Sequence, residues 1–228
     1  GGRIAELTPD QMGELLCADM LQDGKPVTLE HIGTVLKVKL ARPILPGKTS
    51  TLSFGFNGQV PVQIRRSGRD NAEGISYSMT QWYPKVAAYD HQGWHADPYV
   101  GREFYGEWGD FHVSLTLDSS FTVAATGLLK NAAEIGHGYA ARTKVQKGMG
   151  GRTKWLFEAR NVHDFAWAAD PDYKHITAQV PEGPLLHFFY EDKPELETTW
   201  KELPAYMVKS FQFMAAHFGA YPYPQFTF

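Results

Sequence analysis

The sequence predicts a mainly β protein, an antiparallel sandwich of short strands, that gives way to one amphipathic helix. Apolar and polar residues alternate with period two along much of the chain. Turn formers punctuate the runs, and after Tyr190 the apolar spacing changes to three and four. Alternation sends successive side chains to opposite faces, as in a half-buried strand, whereas a three-and-four spacing draws one stripe along a helix.

Taken in order, Gln11 to Leu21 is read as one or two helical turns. Leu36, Val38 and Leu40 then alternate with Lys37 and Lys39, and Leu52, Phe54 and Phe56 alternate with Thr51, Ser53 and Gly55. The longest run is Phe111, Val113, Leu115 and Leu117, interleaved with His112, Ser114 and Thr116. Trp155, Phe157 and Ala159, then Ile176, Ala178 and Val180, repeat the pattern. Pro46-Gly47, Asn57-Gly58, Asp70-Asn71, Gly148 to Gly151 and Pro181 to Pro184 are read as turns between strands. Short strands so punctuated suit an all-β sandwich or barrel. Near the end, Trp200, Leu203, Met207, Phe211, Met214 and Phe218 form one helical face. Pro204 lacks an N–H and suits only a first turn, so the helix is predicted over about 203–217. Gly219 is its stop, and Tyr221-Pro222-Tyr223-Pro224 forbids continuation. The change of period predicts a second domain that is barely begun.

Composition narrows the function classes. The 228 residues are 43% hydrophobic and 21% charged, a globular balance that argues against disorder. Formal charge is −3, and the densest basic spot, Arg65, Arg66 and Arg69, is read as a solvated loop, so nucleic acid is not an expected partner. Cys17 is the single cysteine, which leaves no disulfide framework and no cysteine metal cage. No apolar run approaches the ~20 residues that cross a bilayer as a helix.

Nine histidines invite a metal hypothesis, but no His-Glu-x-x-His occurs. His91 and His95 are separated by Gly93 in a loop-like stretch, and His112 sits on the polar side of a strand. His163-Asp164 are adjacent, and neighbours in a strand point to opposite faces. Glu103 and Glu107 flank aromatic residues and are the residue type of a glycosidase pair, although spacing alone does not set their separation. No nucleophile elbow, phosphate loop or dinucleotide fingerprint is present. The sequence therefore assigns no catalytic and no metal-binding residue.

The segment from Tyr77 to Trp94 is crowded with aromatic and polar side chains and follows neither period. Two readings stay open: a rigid loop that faces a ligand, or a packed loop whose aromatics fill the end of the domain.

Thr80-Gln81-Trp82-Tyr83-Pro84-Lys85, followed by Tyr89-Asp90 and Gly93-Trp94, resembles the Thr-Gln segment in the β domain of aminopeptidase N-type zinc peptidases, a bacterial branch most nearly. The resemblance continues through Glu103-Phe104-Tyr105-Gly106-Glu107-Trp108-Gly109-Asp110-Phe111 and Val123-Ala124-Ala125-Thr126-Gly127. It recurs in Asn161-Val162-His163-Asp164-Phe165-Ala166-Trp167 and in Tyr221-Pro222-Tyr223-Pro224. It is close from about residue 75 onward and loose before that.

What the resemblance implies is a saddle-like β domain over 1–183, with 184–228 opening a thermolysin-like catalytic domain that is cut short. The zinc ligands of that family, His-Glu-x-x-His and a more distant Glu, would lie downstream. Zinc is thus expected in the missing catalytic domain of a parent aminopeptidase, and the fragment itself would form one wall of the cleft for a peptide substrate. The family's amine-holding side chain falls two residues after the Gln of the Thr-Gln pair, which is Tyr83 here. A phenol accepts a hydrogen bond from an ammonium but brings no negative charge, so Gln81 is the second candidate for substrate binding. The alternatives are a non-catalytic sandwich that binds carbohydrate or protein, and a catalytically dead scaffold relative. The helix face Met207, Phe211, Met214 and Phe218 is expected to self-associate or stay disordered when its partner domain is missing. The bacterial branch implies a periplasmic or envelope location, while a chain without disulfides also suits the cytoplasm.

Overall fold

Antiparallel pairing turns the alternating runs into strands, and the ladder partners come from distant parts of the chain. A computed structural model describes residues 2–97, 106–144, 146 and 150–228. These fall into two compact units, one of residues 1–62 with 81–107, the other of residues 63–80 with 108–228.

In the first unit, Glu14–Gln22 pairs antiparallel with Leu52–Gln59 and with the short Lys25–Pro26. The helical turns expected over 11–21 are therefore absent, and the one helix of this region lies earlier, at Gly2–Ala5. Cross-strand hydrogen bonds from Glu14↔Gln59 to Gln22↔Leu52 decide the matter, with a bulge between Ala18 and Leu21 where Asp19 takes φ +53°. Asn57-Gly58 is likewise strand and not turn. The pairing presses Gly58 onto Glu14, and any Cβ at Gly58 would overlap the Glu14 carbonyl oxygen. A glycine needed for close approach looks, in sequence, like one needed for a turn. Leu52, Phe54 and Phe56 form the expected strand, yet remain 38%, 36% and 43% exposed. Thr28–Ile32 and Val35–Lys39 make a separate hairpin, as do Tyr89–Asp90 and Gly93–Trp94. Pro46-Gly47 is a turn as expected, with Lys48 N–H donating to the Leu45 carbonyl and Gly47 at φ +70°.

The second unit holds the long strands. Gly109–Asp118 pairs with Arg152–Val162, which also pairs with Leu128–Leu129. The alternation read from Phe111 to Leu117 and from Trp155 to Ala159 appears directly in burial, with Trp155, Phe157 and Ala159 at 0–3% exposure. A second sheet orders Thr122–Ala125, Trp167–Asp170, Tyr77–Met79 and Gly68–Arg69. Asp170 is buried there, and Ser76 N–H, Ser76 hydroxyl and Asp172 N–H all donate to its carboxylate. Those donors satisfy a charge that would otherwise be costly to bury. Of the predicted glycine turn, Gly148 lies outside the described residues, while Gly150 and Gly151 turn the chain with positive φ.

A third sheet joins Tyr173–Gln179, Leu185–Glu191 and Gln225–Thr227, the last pair parallel. The Pro181–Pro184 turn connects the first two, with Gly183 N–H donating to the Val180 carbonyl. The helix Glu197–Phe218 packs on this sheet: Trp200, Leu203, Met207 and Phe211 lie on a core of Val180, Leu186 and Phe188. The helix is longer than the predicted span, and Pro204 sits inside it. A proline there denies the Trp200 carbonyl its helical hydrogen bond, and the stacking of Trp200 on Tyr190, 4.5 Å between centroids, holds the first turns nonetheless. Gly219 ends the helix at φ +99°, as expected. Met207 and Phe211, named for self-association, are covered by this sheet, whereas Met214 and Phe218 are 52% and 75% exposed. No described helix is long and apolar enough to cross a membrane.

Candidate functional site

Thr80 closes a stretch of the second unit, where its hydroxyl donates to the Arg66 carbonyl at 3.0 Å, and Gln81 opens a stretch of the first. Gln81 adopts φ +50°, a left-handed conformation that is uncommon for a residue with a side chain. Its kink brings Trp82 and Tyr83 into edge contact at 5.3 Å, and Trp82 also meets Phe56 at 6.3 Å.

The Tyr83 ring carries a cation over its face, with Lys85 Nζ 5.6 Å from the ring centroid. A ring so placed already has a positive partner on its face. Both proposed substrate residues are half-buried in this aromatic stretch.

Beyond them, the hairpin Tyr89–Asp90/Gly93–Trp94 carries the pair Asp90 and His95, 2.9 Å apart. The hydrogen bond from His95, then that from Gln92 N–H, holds the Asp90 carboxyl below the ordinary carboxylate range. His91 is exposed and only 3.9 Å from the same carboxylate, so the two histidines flank an acid without converging on a metal. Among the described residues no three His, Cys, Asp or Glu side chains form a group that could hold a metal ion. Of the glycosidase-type pair, Glu103 lies outside the described residues, and Glu107 is exposed with its carboxylate 3.4 Å from the Tyr89 N–H. His163 meets Trp108 in a tilted contact at 5.2 Å, while Asp164 accepts from the Phe165 N–H. His112 is exposed on its strand. Arg69 of the basic spot is paired with Asp70 at 2.6 Å.

The second unit has its own cleft, about 960 Å³, which the sequence did not point to. Ala124 to Gly127, Glu158 to Val162 and Tyr221 to Phe228 wall it. Polar groups on the wall tie the strands together. The Tyr223 hydroxyl donates to the Asn161 carbonyl at 2.7 Å, Gln225 Nε2 donates to the Gly127 carbonyl, and the Thr227 hydroxyl meets the Ala125 carbonyl at 3.4 Å. These motifs thus knit the wall of a hollow, and among the described residues that line it no nucleophile–base pair stands. The only trace in the sequence is that three separated aromatic or small-residue motifs share one resemblance.

No family model matches the sequence, and no curated protein matches it either. Solved structures do match in fold. A two-domain M1 zinc metallopeptidase bound to L-arginine superposes with a TM-score of 0.58 at 17% identity, over 96% of this chain and 46% of that one. An M1 zinc metallopeptidase from Deinococcus radiodurans gives 0.57 at 18% identity, over 96% of this chain and 46% of that chain. The same organism's enzyme, in a mutant form bound to a Tyr-Ser-Ala substrate, gives 0.57 at 18% identity, over 93% of this chain and 46% of its own. At such identities the likeness is one of fold, and this chain spans about half the length of those structures.

Proposed function

We propose that this chain is the substrate-side part of a zinc aminopeptidase of the aminopeptidase N type. In this proposal residues 1–183 form the β domain and 184–228 begin the catalytic domain. The observation that carries it is the agreement of two independent signs: motifs in family order along the sequence, and a fold shared with zinc metallopeptidases along 96% of the chain. The helix packed on the third sheet favours this over a free-standing carbohydrate- or protein-binding sandwich, which has no need of it.

Among the described residues no three His, Cys, Asp or Glu side chains form a group that could hold a metal ion, and in this proposal the metal and the activated water are supplied by the rest of the parent protein. The contribution proposed for this part is recognition. In this reading Gln81 and Tyr83 are the residues that receive the free amine of a peptide in the complete protein. The Tyr83 hydroxyl and the Gln81 amide oxygen are both neutral acceptors for an ammonium, and neither supplies the charge of a carboxylate. Lys85 beside Tyr83 weakens that ring's pull on a second cation, which makes Gln81 the stronger of the two candidates. The exposed end of the helix, Met214 and Phe218, is the surface through which separate copies of this part would self-associate.

The test is the complete gene product. It is expected to carry a His-Glu-x-x-His motif, about one zinc per chain by elemental analysis, and activity on unblocked peptides, while residues 1–228 alone show neither zinc nor activity. A complete product without that motif would make the protein a scaffold relative instead.

A further inference from the structure

Three histidines that the proposed role does not use meet on the face of the third sheet opposite the helix. His175 lies on Tyr173–Gln179 and His187 on Leu185–Glu191. Nε2 of His175 is 2.8 Å from Nδ1 of His187, and Nδ1 of His175 is 2.8 Å from the carbonyl oxygen of His137. His137 itself has Nδ1 2.8 Å from the Thr122 hydroxyl. Tyr139 lies against both strand histidines, at 4.6 and 5.3 Å, and Phe189 stacks on His175 at 4.1 Å. His187 is 3% exposed, and its Nε2 is buried with no hydrogen-bond partner.

The direction of these bonds follows from elementary chemistry. A carbonyl only accepts, so Nδ1 of His175 carries a hydrogen. While both rings are neutral, Nε2 of His175 is an acceptor, and His187 donates from Nδ1 and keeps a bare lone pair at Nε2. One added proton leaves both bonds intact only if it ends at Nε2 of His187, with the charge on His187 or, once the shared hydrogen has crossed the gap, on His175. Either arrangement sets a cation against Tyr139 and leaves an unpaired N–H at the buried end. A second proton has no such place, because two N–H groups would face each other across the 2.8 Å gap.

No neighbouring acid relieves that charge. Among the described residues no carboxylate hydrogen-bonds to either ring. Asp170 is taken by Ser76 and Asp172, Glu191 by Lys193, and Asp192 by Lys174. Arg142 stands near His137 and repels a second positive charge. The phenols of Tyr139 and Tyr173 stay neutral, since burial pushes both upward, Tyr173 to about 12 with help from Asp170 and Glu191.

We propose that the chain His137, His175 and His187 is an acid-operated latch, which fastens the third sheet to the 137–139 turn while neutral and releases it when protonated. Burial acts in the same sense on all three: it lowers His187 to about 4, with His175 adding to it, and lowers His175 and His137 as well. Because the folded values lie below the ordinary 6.5, the fastening is complete above pH 6.5 and is lost as pH falls from there toward 4. The latch stands on this geometry alone and holds whether or not the parent is a peptidase.

Hydrogen exchange on the full 228-residue chain between pH 7 and pH 5, corrected for intrinsic rates, tests it. The amides of Phe189 and of residues 137–139 are expected to open roughly tenfold more per pH unit for each proton taken up. Amides in Arg152–Val162 should change little. His187→Gln removes the acid response at those amides, and the exposed control His112→Gln keeps it. If His187→Gln does not fold, the wild-type ring signals decide by NMR: depressed titration of His175 and His187 is expected. Ordinary titration near 6.5, or an equal rise in exchange throughout the second unit, overturns the latch.

Discussion

The indole of Trp200 lies flat on the phenol of Tyr190, centroids 4.5 Å apart and planes 10° from parallel. This pair joins the end of a strand to the first turns of the long helix, four residues before Pro204. It explains why the helix begins at Glu197, upstream of the residue that was expected to start it. Trp200→Ala is expected to lower stability by about 3 kcal/mol, the scale of a large aromatic truncation. Exchange should rise first over residues 197–203, and a loss below about 1 kcal/mol in denaturant unfolding would show that the helix starts there without the pair.

Pro204→Ala has the opposite sign. It supplies an N–H to the Trp200 carbonyl and restores helix propensity, so stability should rise by about 1–3 kcal/mol. Thermal or urea unfolding measures it, and a destabilised variant would mean that the proline ring itself packs on the sheet.

Gly127, in the Val123–Gly127 motif, has φ +82° and sits so close to Glu158 that a Cβ would overlap that residue's carbonyl oxygen. Gly127→Ala is expected to cost at least about 2 kcal/mol, since the Glu158 backbone and the Ala159 Cβ both resist movement. Gly47→Ala, at φ +70° in open space, should cost only about 1 kcal/mol. Equal losses in a denaturant titration would remove the role of close approach.

Asp23 offers a second pH window, below that of the histidines. The Thr51 N–H, then Arg42 and Ser50, hold its carboxylate at about 2 against an ordinary 3.8. A depressed acid favours the fold above the unfolded value, so this contribution is present above pH 3.8 and is lost as pH falls toward 2. Stability of wild type and Asp23→Asn, followed by circular dichroism from pH 5 to pH 2, should differ most at pH 5 and converge in acid.

In the complete protein, Gln81→Ala and Tyr83→Ala are compared on free and amino-blocked peptides. Loss of an amine contact predicts a fall of about 1–2 kcal/mol in transition-state binding, roughly 5- to 30-fold in kcat/KM, on free peptides only. With Lys85 over the Tyr83 ring, the larger loss is expected at Gln81, and Lys85→Met should raise the contribution of Tyr83. Equal losses on both substrates would leave the loop a purely structural element.

Local spacing alone determined a good deal of this protein. The alternations at 111–117 and 155–159, the helical stripe from Trp200 to Phe211 and the stop at Gly219 all stand in the structure as the sequence has them. Gln81 and Tyr83 came from a motif and not from chemistry, and the sequence carried no sign that Lys85 covers the Tyr83 ring. Other features waited on tertiary structure. Glu14–Gln22 became a strand because a partner 30 or more residues away supplied its hydrogen bonds, and Gly58 was needed for that partner's approach. Pro204 is tolerated within a helix because Trp200 has a ring to lie on. Nothing in the spacing singles out His175 and His187, and only the pairing of their strands puts two ring nitrogens 2.8 Å apart. Periodicity is a relation between neighbours in sequence, so the sequence displays it. Pairing, close approach and the burial of a polar ring are relations between distant segments, and only folding brings those segments together.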